Sequence, residues 1–511
     1  MATHAPMPRR TFLAGGISTI AAMALAGCTP EGAPPPAAAP SGPRFLTPTD
    51  AVVGEREAAR AASGAVNRVS LTARPGRLDL AGVPADTWSY GQTPAPVIRQ
   101  ARGDRLELEL VNDLPEESSI HWHGLALRND MDGVPHLTQD PVPAGGSFTY
   151  DFVTPHAGTY WFHPHSGTQL DRGLYGALIV EDPAEPLAYD SEWVVILDDW
   201  LDGVQATPDQ VRTDLEGGMG DMGDMPEMHA MGNLLMGAVS DVLGGDAGDV
   251  SYPFHLINGR PATDPDVFEA TPGDRVRIRL INAAGDTAYR VALTGHRMTV
   301  THTDGFPVDH TEGDTLIIGM GERYDVVVTL GDGLFTLIAE AEGKLRQAHA
   351  QVRTGAGTPL PTDLPFPAPE LQGKLVTADQ LTAAPGVALD QRAPDREITI
   401  RLTGGMEKYD WAFDGLPFDM MRPMRNAHPI VEGERVRLTF VNDTEMWHPV
   451  HLHGHTYQHA GGGPRKDTSI LLPGKRIALD FDADNPGRWL THCHNLYHGE
   501  AQMMGVVAYT A

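Results

Sequence analysis

The sequence predicts an all-β protein built from three consecutive β-sandwich domains, and two observations carry that prediction. From about residue 66 the chain runs in short stretches of alternating apolar and polar residues, punctuated by Gly, Pro, Asn and Asp, with few helical stretches. A period of two is the signature of strands that bury one face. One stretch then returns twice: Gly103–Asn112 recurs as Gly273–Asn282 and again as Gly433–Asn442, at offsets of 170 and 160 residues. Each offset is the size of one domain, so the copies mark three versions of one β-sandwich unit. The units are placed at about 66–182, 183–356 and 390–511, with 357–389, including the Pro-rich stretch Pro359–Pro369, as the linker before the last.

The N-terminal elements are of a different kind. Arg9-Arg10 precede an apolar run of about 16 residues that starts at Phe12 and ends at Leu25-Ala26-Gly27-Cys28. That run is short for a membrane span and right for a signal segment. Arg9-Arg10-Thr11-Phe12-Leu13 resembles a twin-arginine export signal, and Leu25–Cys28 a lipoprotein processing box. Residues 1–27 are therefore expected to be cleaved and Cys28 to be lipidated. Residues 28–65 read as a Pro/Ala-rich linker and lead-in that holds the protein off the membrane. The expected location is the cell envelope: lipid-anchored on the outer face of a membrane, periplasmic or secreted.

At 511 residues, 41% of them hydrophobic, the chain is long enough for several cores. Its formal charge of -29 excludes nucleic acid as a partner. Only two cysteines occur, Cys28 and Cys493, and each has a better use than a disulfide.

The copies are not chemically equal. After the repeat strand the first unit reads His121-Trp122-His123-Gly124 and the third His448-Pro449-Val450-His451-Leu452-His453-Gly454, whereas the second, Tyr289–His296, has no paired His. A metal site between the first and third units follows, with the second as spacer and wall. Two further clusters, His163/His165 and His492/His494/His498, bring the total to ten histidines. Strand parity sorts them, because side chains two apart share a face and odd offsets do not. Cys493 points away from His492 and His494, and His448 away from His451 and His453. Cys493, His448, His498 and the thioether of Met503 then match the blue-copper set of two His, one Cys and a weak axial Met. Eight histidines remain, too many for one zinc ion, which closes at four ligands, and suited to three coppers.

On these motifs the chain resembles the three-domain multicopper oxidases, the family of laccases, bilirubin oxidases and bacterial cuprous oxidases. The resemblance covers roughly residues 66–511 and implies three cupredoxin-like Greek-key domains and four copper ions. Carried over, it assigns the type 1 copper to His448, Cys493, His498 and Met503, and the type 2 copper to His121 and His451. One type 3 copper falls to His123, His163 and His494, the other to His165, His453 and His492. It also implies single-electron oxidation of a donor at the type 1 site and four-electron reduction of O₂ to water at the other three, with Cys493 joined by the backbone to His492 and His494. Protons are expected through Asp132, which matches the carboxylate that bacterial relatives keep beside the type 2 site. Relatives also place an acid directly after the second type 1 His; here Gly499 stands there and Glu500 follows as the substitute.

The donor is less directly written. Electron-rich phenols, in a laccase-like reaction, are the first expectation; the alternative is Cu(I), in copper tolerance. Met219, Met222, Met225, Met228, Met231 and Met236, with His229 among them, form a Met-rich insert at about 217–237 of the second unit, and thioethers prefer Cu(I). In cuprous oxidases the insert precedes the third domain instead. Met446 matches a substrate-copper ligand of those enzymes, while Thr444 stands where they have Asp. A copper-storing or electron-transfer lipoprotein is the remote third reading, disfavoured because neither role needs eight further histidines. The protein is expected to act as a monomer.

Overall fold

Alternation from residue 66 onward does produce strands. The computed structural model describes residues 44–217, 228–361 and 365–511, so the signal segment, Cys28 and Met219, Met222 and Met225 lie outside the described residues. Strands pair into three two-sheet sandwiches. The first has two four-stranded sheets, the second a seven- and a six-stranded sheet, the third a six- and a five-stranded sheet. The all-β class is borne out.

The repeat has a structural meaning. Its three copies form strands Arg105–Asn112, Arg275–Asn282 and Arg435–Asn442, and each runs parallel to the first long strand of its sandwich and antiparallel to a later one. Their alternate apolar residues enter the core: Leu106, Leu108 and Leu110 in the first, Val436, Leu438 and Phe440 in the third. Each such side chain contributes roughly 1.5–3 kcal/mol on burial. The terminal Asn does the same work three times. Asn112 Nδ2 donates to Glu116 O and Val142 O, Asn282 Nδ2 to Thr287 O and Ile318 O, and Asn442 Nδ2 to Met446 O and Leu471 O. Each Asn Oδ1 accepts a backbone N–H two residues on. A buried amide satisfied at both ends fixes the loop that follows. In the first and third sandwiches that loop leads straight into the His-bearing strand, His121–His123 or His448–Leu452.

Residues 44–65 are more than lead-in. The backbone of Leu46 bonds to the far end of the chain, its N–H donating to Tyr509 O and its carbonyl accepting from the Arg488 side-chain Nε. The helix Ala51–Ala58 places Glu57 to accept from Val153 N–H at 2.7 Å. The stretch thereby ties the first sandwich to the third. The linker is docked as well: Leu375–Val376 pairs in parallel with Thr315–Ile318, and Leu371 and Leu381 are buried.

Candidate metal centres

Strand Arg488–Cys493 lies against His448–Leu452, with Val450 opposite Cys493 and His451 opposite His492. The register sends Cys493 to one side and its neighbours to the other. A short helix, Leu496–Glu500, follows; Asn495 caps it by accepting from the N–H groups of Tyr497 and His498. The cap turns His498 back onto Cys493. The Nδ1 atoms of His448 and His498 are 3.0 Å apart and lie 3.5 and 3.7 Å from Cys493 Sγ. Met503, fully buried, follows the helix, and its carbonyl accepts from Cys493 N–H.

The remaining ring atoms set the tautomers. Thr444 gives its own hydroxyl proton to Asn442 Oδ1, so at 2.8 Å it accepts from His448 Nε2 and leaves Nδ1 as a free lone pair. His498 Nε2 donates to Asp249 Oδ2 at 3.1 Å, with the same result. Such outer hydrogen bonds orient ligands and raise their basicity. Burial pushes the proton affinity of His448 down and that of the Cys493 thiol up. The imidazole is thus neutral, and the thiol requires a cation to become a thiolate.

The other eight histidines meet where the first and third sandwiches abut. His121 stacks on His453 at 3.8 Å and His123 on His451 at 3.9 Å between ring centroids; His165 and His492 are 4.9 Å apart, as are His123 and His494. Backbone carbonyls take one proton from each of four rings: Asp132 O from His121, Pro164 O from His163, Asp467 O from His451 and Cys493 O from His492. Asp467 Oδ1 takes that of His123 Nε2, and Asp132 Oδ2 that of His453 Nδ1. The opposite nitrogens of His121, His123, His163, His165 and His451, and both of His494, are buried without a hydrogen-bond partner among the described residues. Unpaired buried nitrogens are costly unless a metal receives them. Burial also holds His123, His163, His165, His453, His492 and His494 neutral. The donor set fits several copper ions. His165/His453/His492 and His448/Cys493/His498 each converge closely enough for one.

The expected acids fall in different places. Asp132, fully buried, lies between His453 Nδ1 (2.9 Å) and His121 Nδ1 (3.2 Å), joining a ring of the third sandwich to one of the first within the cluster. Glu500 sits at the helix end and lines a small cleft whose other walls include His163, His165, His492 and His494. Its Oε2 accepts from Arg212 at 2.8 Å; burial raises its proton affinity and Arg212 opposes the rise. Met446 is buried, and its backbone bridges to Asp246. Met228 packs on the middle core, and Met231 lies on a hairpin of His229–Met231 with Leu234–Met236. That hairpin is anchored beside the Cys493 group: Leu235 N–H donates to Asp249 O, and Ser251 N–H to Asn233 O. The described part of the insert, the hairpin, thus lies one residue contact from His498, through Asp249.

Asp249, Asp467 and Arg323 escaped the reading of the sequence. Each is a charged residue whose partner lies far off in the sequence, and no local spacing marks it.

A sandwich architecture with a Cys-centred ligand set joined by backbone to a histidine cluster defines a copper-dependent oxidoreductase. Comparison with known proteins makes the class specific. Family models described as multicopper oxidase match residues 75–185, 237–358 and 391–511. The multicopper oxidase MmcO of Mycobacterium tuberculosis is 46% identical, over 97% of this chain and 95% of its own. A copper resistance protein A homolog of Pseudomonas syringae is 30% identical over 81% of this chain and 87% of its own. The laccase of Botrytis aclada shares the fold, with a TM-score of 0.71 at 23% identity and 88% of each chain covered. The chain belongs to the multicopper oxidase family and couples oxidation of a reducing substrate to reduction of O₂.

Proposed function

We propose that the physiological donor is Cu(I), and that the protein is an exported, lipid-anchored cuprous oxidase with four coppers per chain. The type 1 ligands are His448, Cys493, His498 and Met503; His121 and His451 hold the type 2 ion; His123/His163/His494 and His165/His453/His492 hold the type 3 pair. Copper bound there supplies one-electron exchange at the Cys493 group and four-electron reduction of O₂ at the histidine cluster.

One observation carries the choice of donor. His498 is 0% exposed, and its outer nitrogen is covered by Asp249, whose backbone is bonded to the Met-bearing hairpin. A phenol cannot touch the ring. A soft cation passed along thioethers reaches the carboxylate edge instead, with Met231 and Met228 of the described residues and Met446 as candidate ligands, and Met219, Met222 and Met225, outside the described residues, as further thioethers of the same insert. The relatives named for copper resistance agree with this reading. Phenols are then slower donors, oxidised across a longer gap.

For the protons, Asp132 serves the face between His121 and His453, and Glu500 the cleft beside His163, His165, His492 and His494. Steady-state oxygen uptake with Cu(I) and with a phenol, before and after deletion of residues 219–236, tests the donor. Loss of Cu(I) oxidation with phenol oxidation unchanged or faster is expected; equal losses on both would reject the reading.

A further inference from the structure

We infer that Arg323, from the domain without copper ligands, is a positioning residue of the oxygen-reducing site, acting through Asp467. The guanidinium is wholly buried and grips Asp467 with two parallel bonds, NH1 to Oδ1 at 2.7 Å and NH2 to Oδ2 at 2.6 Å. Its Nε donates to Thr159 O in the first sandwich, and NH1 also to Gly321 O in its own. One side chain therefore joins all three domains at one point. What it holds there is the orientation of two histidines. Asp467 Oδ1 accepts from His123 Nε2 at 3.1 Å, and the Asp467 carbonyl from His451 Nδ1 at 2.8 Å. Those bonds direct His123 Nδ1 and His451 Nε2, both otherwise unpartnered, toward the centre of the cluster.

The backbone around the pair is shaped for it. Gly124, with φ +87°, follows the His121-Trp122-His123 motif, and a Cβ there would come within 2.3 Å of Arg323 NH2 and 2.6 Å of Asp467 Oδ2. Gly321, with φ +85°, faces the cluster from the middle domain, and a Cβ there would lie 2.9 Å from His494 and 3.0 Å from His123. The turn Gly319–Arg323 is thus a floor to the histidine cluster. Beneath it, Asp304 Oδ2 accepts from the N–H groups of Asp467 and Thr468, and Lys466 joins Asp304 and Glu322 at 3.1 Å each. Two cations and three carboxylates, all buried, secure the segment that carries Asp467. The planar fork is the feature that fixes a carboxylate in two dimensions; an ammonium offers the charge without the fork.

The inference rests on the reading of the eight-histidine cluster as the oxygen-reducing site. It is tested with full-length R323Q, R323K and G124A, each loaded with copper and measured for copper content, the blue absorption of the Cys493 group, the near-ultraviolet band of the type 3 pair and the type 2 electron paramagnetic resonance signal. Affinity for the cluster coppers is expected to fall about 10- to 100-fold in R323Q, with a smaller fall in the other two, while the blue band stays at full strength. Cluster signals unchanged in R323Q and G124A would overturn the inference, and so would a parallel loss of the blue band and cluster signals in all three, which marks a clamp on the whole fold. If R323Q does not fold, R323K and G124A decide by the same signals. Absence of cluster signals from the unaltered protein would instead overturn the reading of the site.

Discussion

Cys493 lies at the centre of the proposed type 1 site, and its neighbours show how much a single position demands. Its sulfur faces two Nδ1 atoms, each left open because the other ring nitrogen is taken, by Thr444 in His448 and by Asp249 in His498. Thr444 replaces an expected Asp, yet it performs the orienting task with its hydroxyl oxygen, because its proton is committed to Asn442. Cys493→Ser keeps the shape and removes the thiolate. The expected outcome is loss of the blue absorption and of oxygen uptake with any donor, with an unchanged circular dichroism spectrum. Oxygen uptake retained at more than about a hundredth of the original rate would contradict the assigned electron path.

At the scale of elements, the helix Leu496–Glu500 does two jobs in five residues. Its first turn, capped by Asn495, seats His498; its last residue places Glu500 in the cleft beside the other histidines. Moving the acid from position 499 to 500 turns the side chain by about 100° in a helix, and here the carboxyl comes within reach of Arg212 on the helix Pro208–Glu216. Glu500→Gln is expected to lower turnover by about a hundredfold while the rate at which a donor reduces the Cys493 group stays the same, as stopped-flow bleaching of the blue band measures. Unchanged turnover would leave Glu500 as an ion-pair partner only.

At the scale of the whole molecule, buried histidines outside the copper ligands make stability depend on pH. Burial, opposed by Asp325 and aided by Arg277, pulls His302 down to about 4; burial alone takes His349 to about 4, and burial with Lys466 takes His459 to about 3. All three lie below the ordinary value of about 6.5. Between those limits the unfolded chain binds more protons than the folded one, so stability is complete above about pH 6.5 and declines as pH falls toward 4, each histidine adding a slope of up to about 1.4 kcal/mol per pH unit. Urea unfolding at pH 7 and pH 5 should show the decline, and His349→Gln should flatten it by one histidine's share. An equal slope in the variant would show that His349 titrates normally.

Much of this was legible from the chain alone. Alternation and the thrice-repeated strand are local signals, and so is parity: backbone geometry obliges Cys493 and His448 to leave the face used by His451, His453, His492 and His494, wherever the domains go. Composition and motif phase therefore determined the all-β class, three units and two separate ligand groups. What tertiary structure decided was every contact between units. Asp249 reaches His498 from 249 residues away, Asp467 reaches His123 from 344, and Arg323 reaches Asp467 from 144. A single Asp or Arg in a strand carries no periodicity that reveals its partner. The middle domain, read as spacer and wall because it lacks paired histidines, supplies the floor of the cluster through Gly321 and the cap on His498 through Asp249, since a ligand shell is completed by charge and hydrogen bonds that only packing brings together.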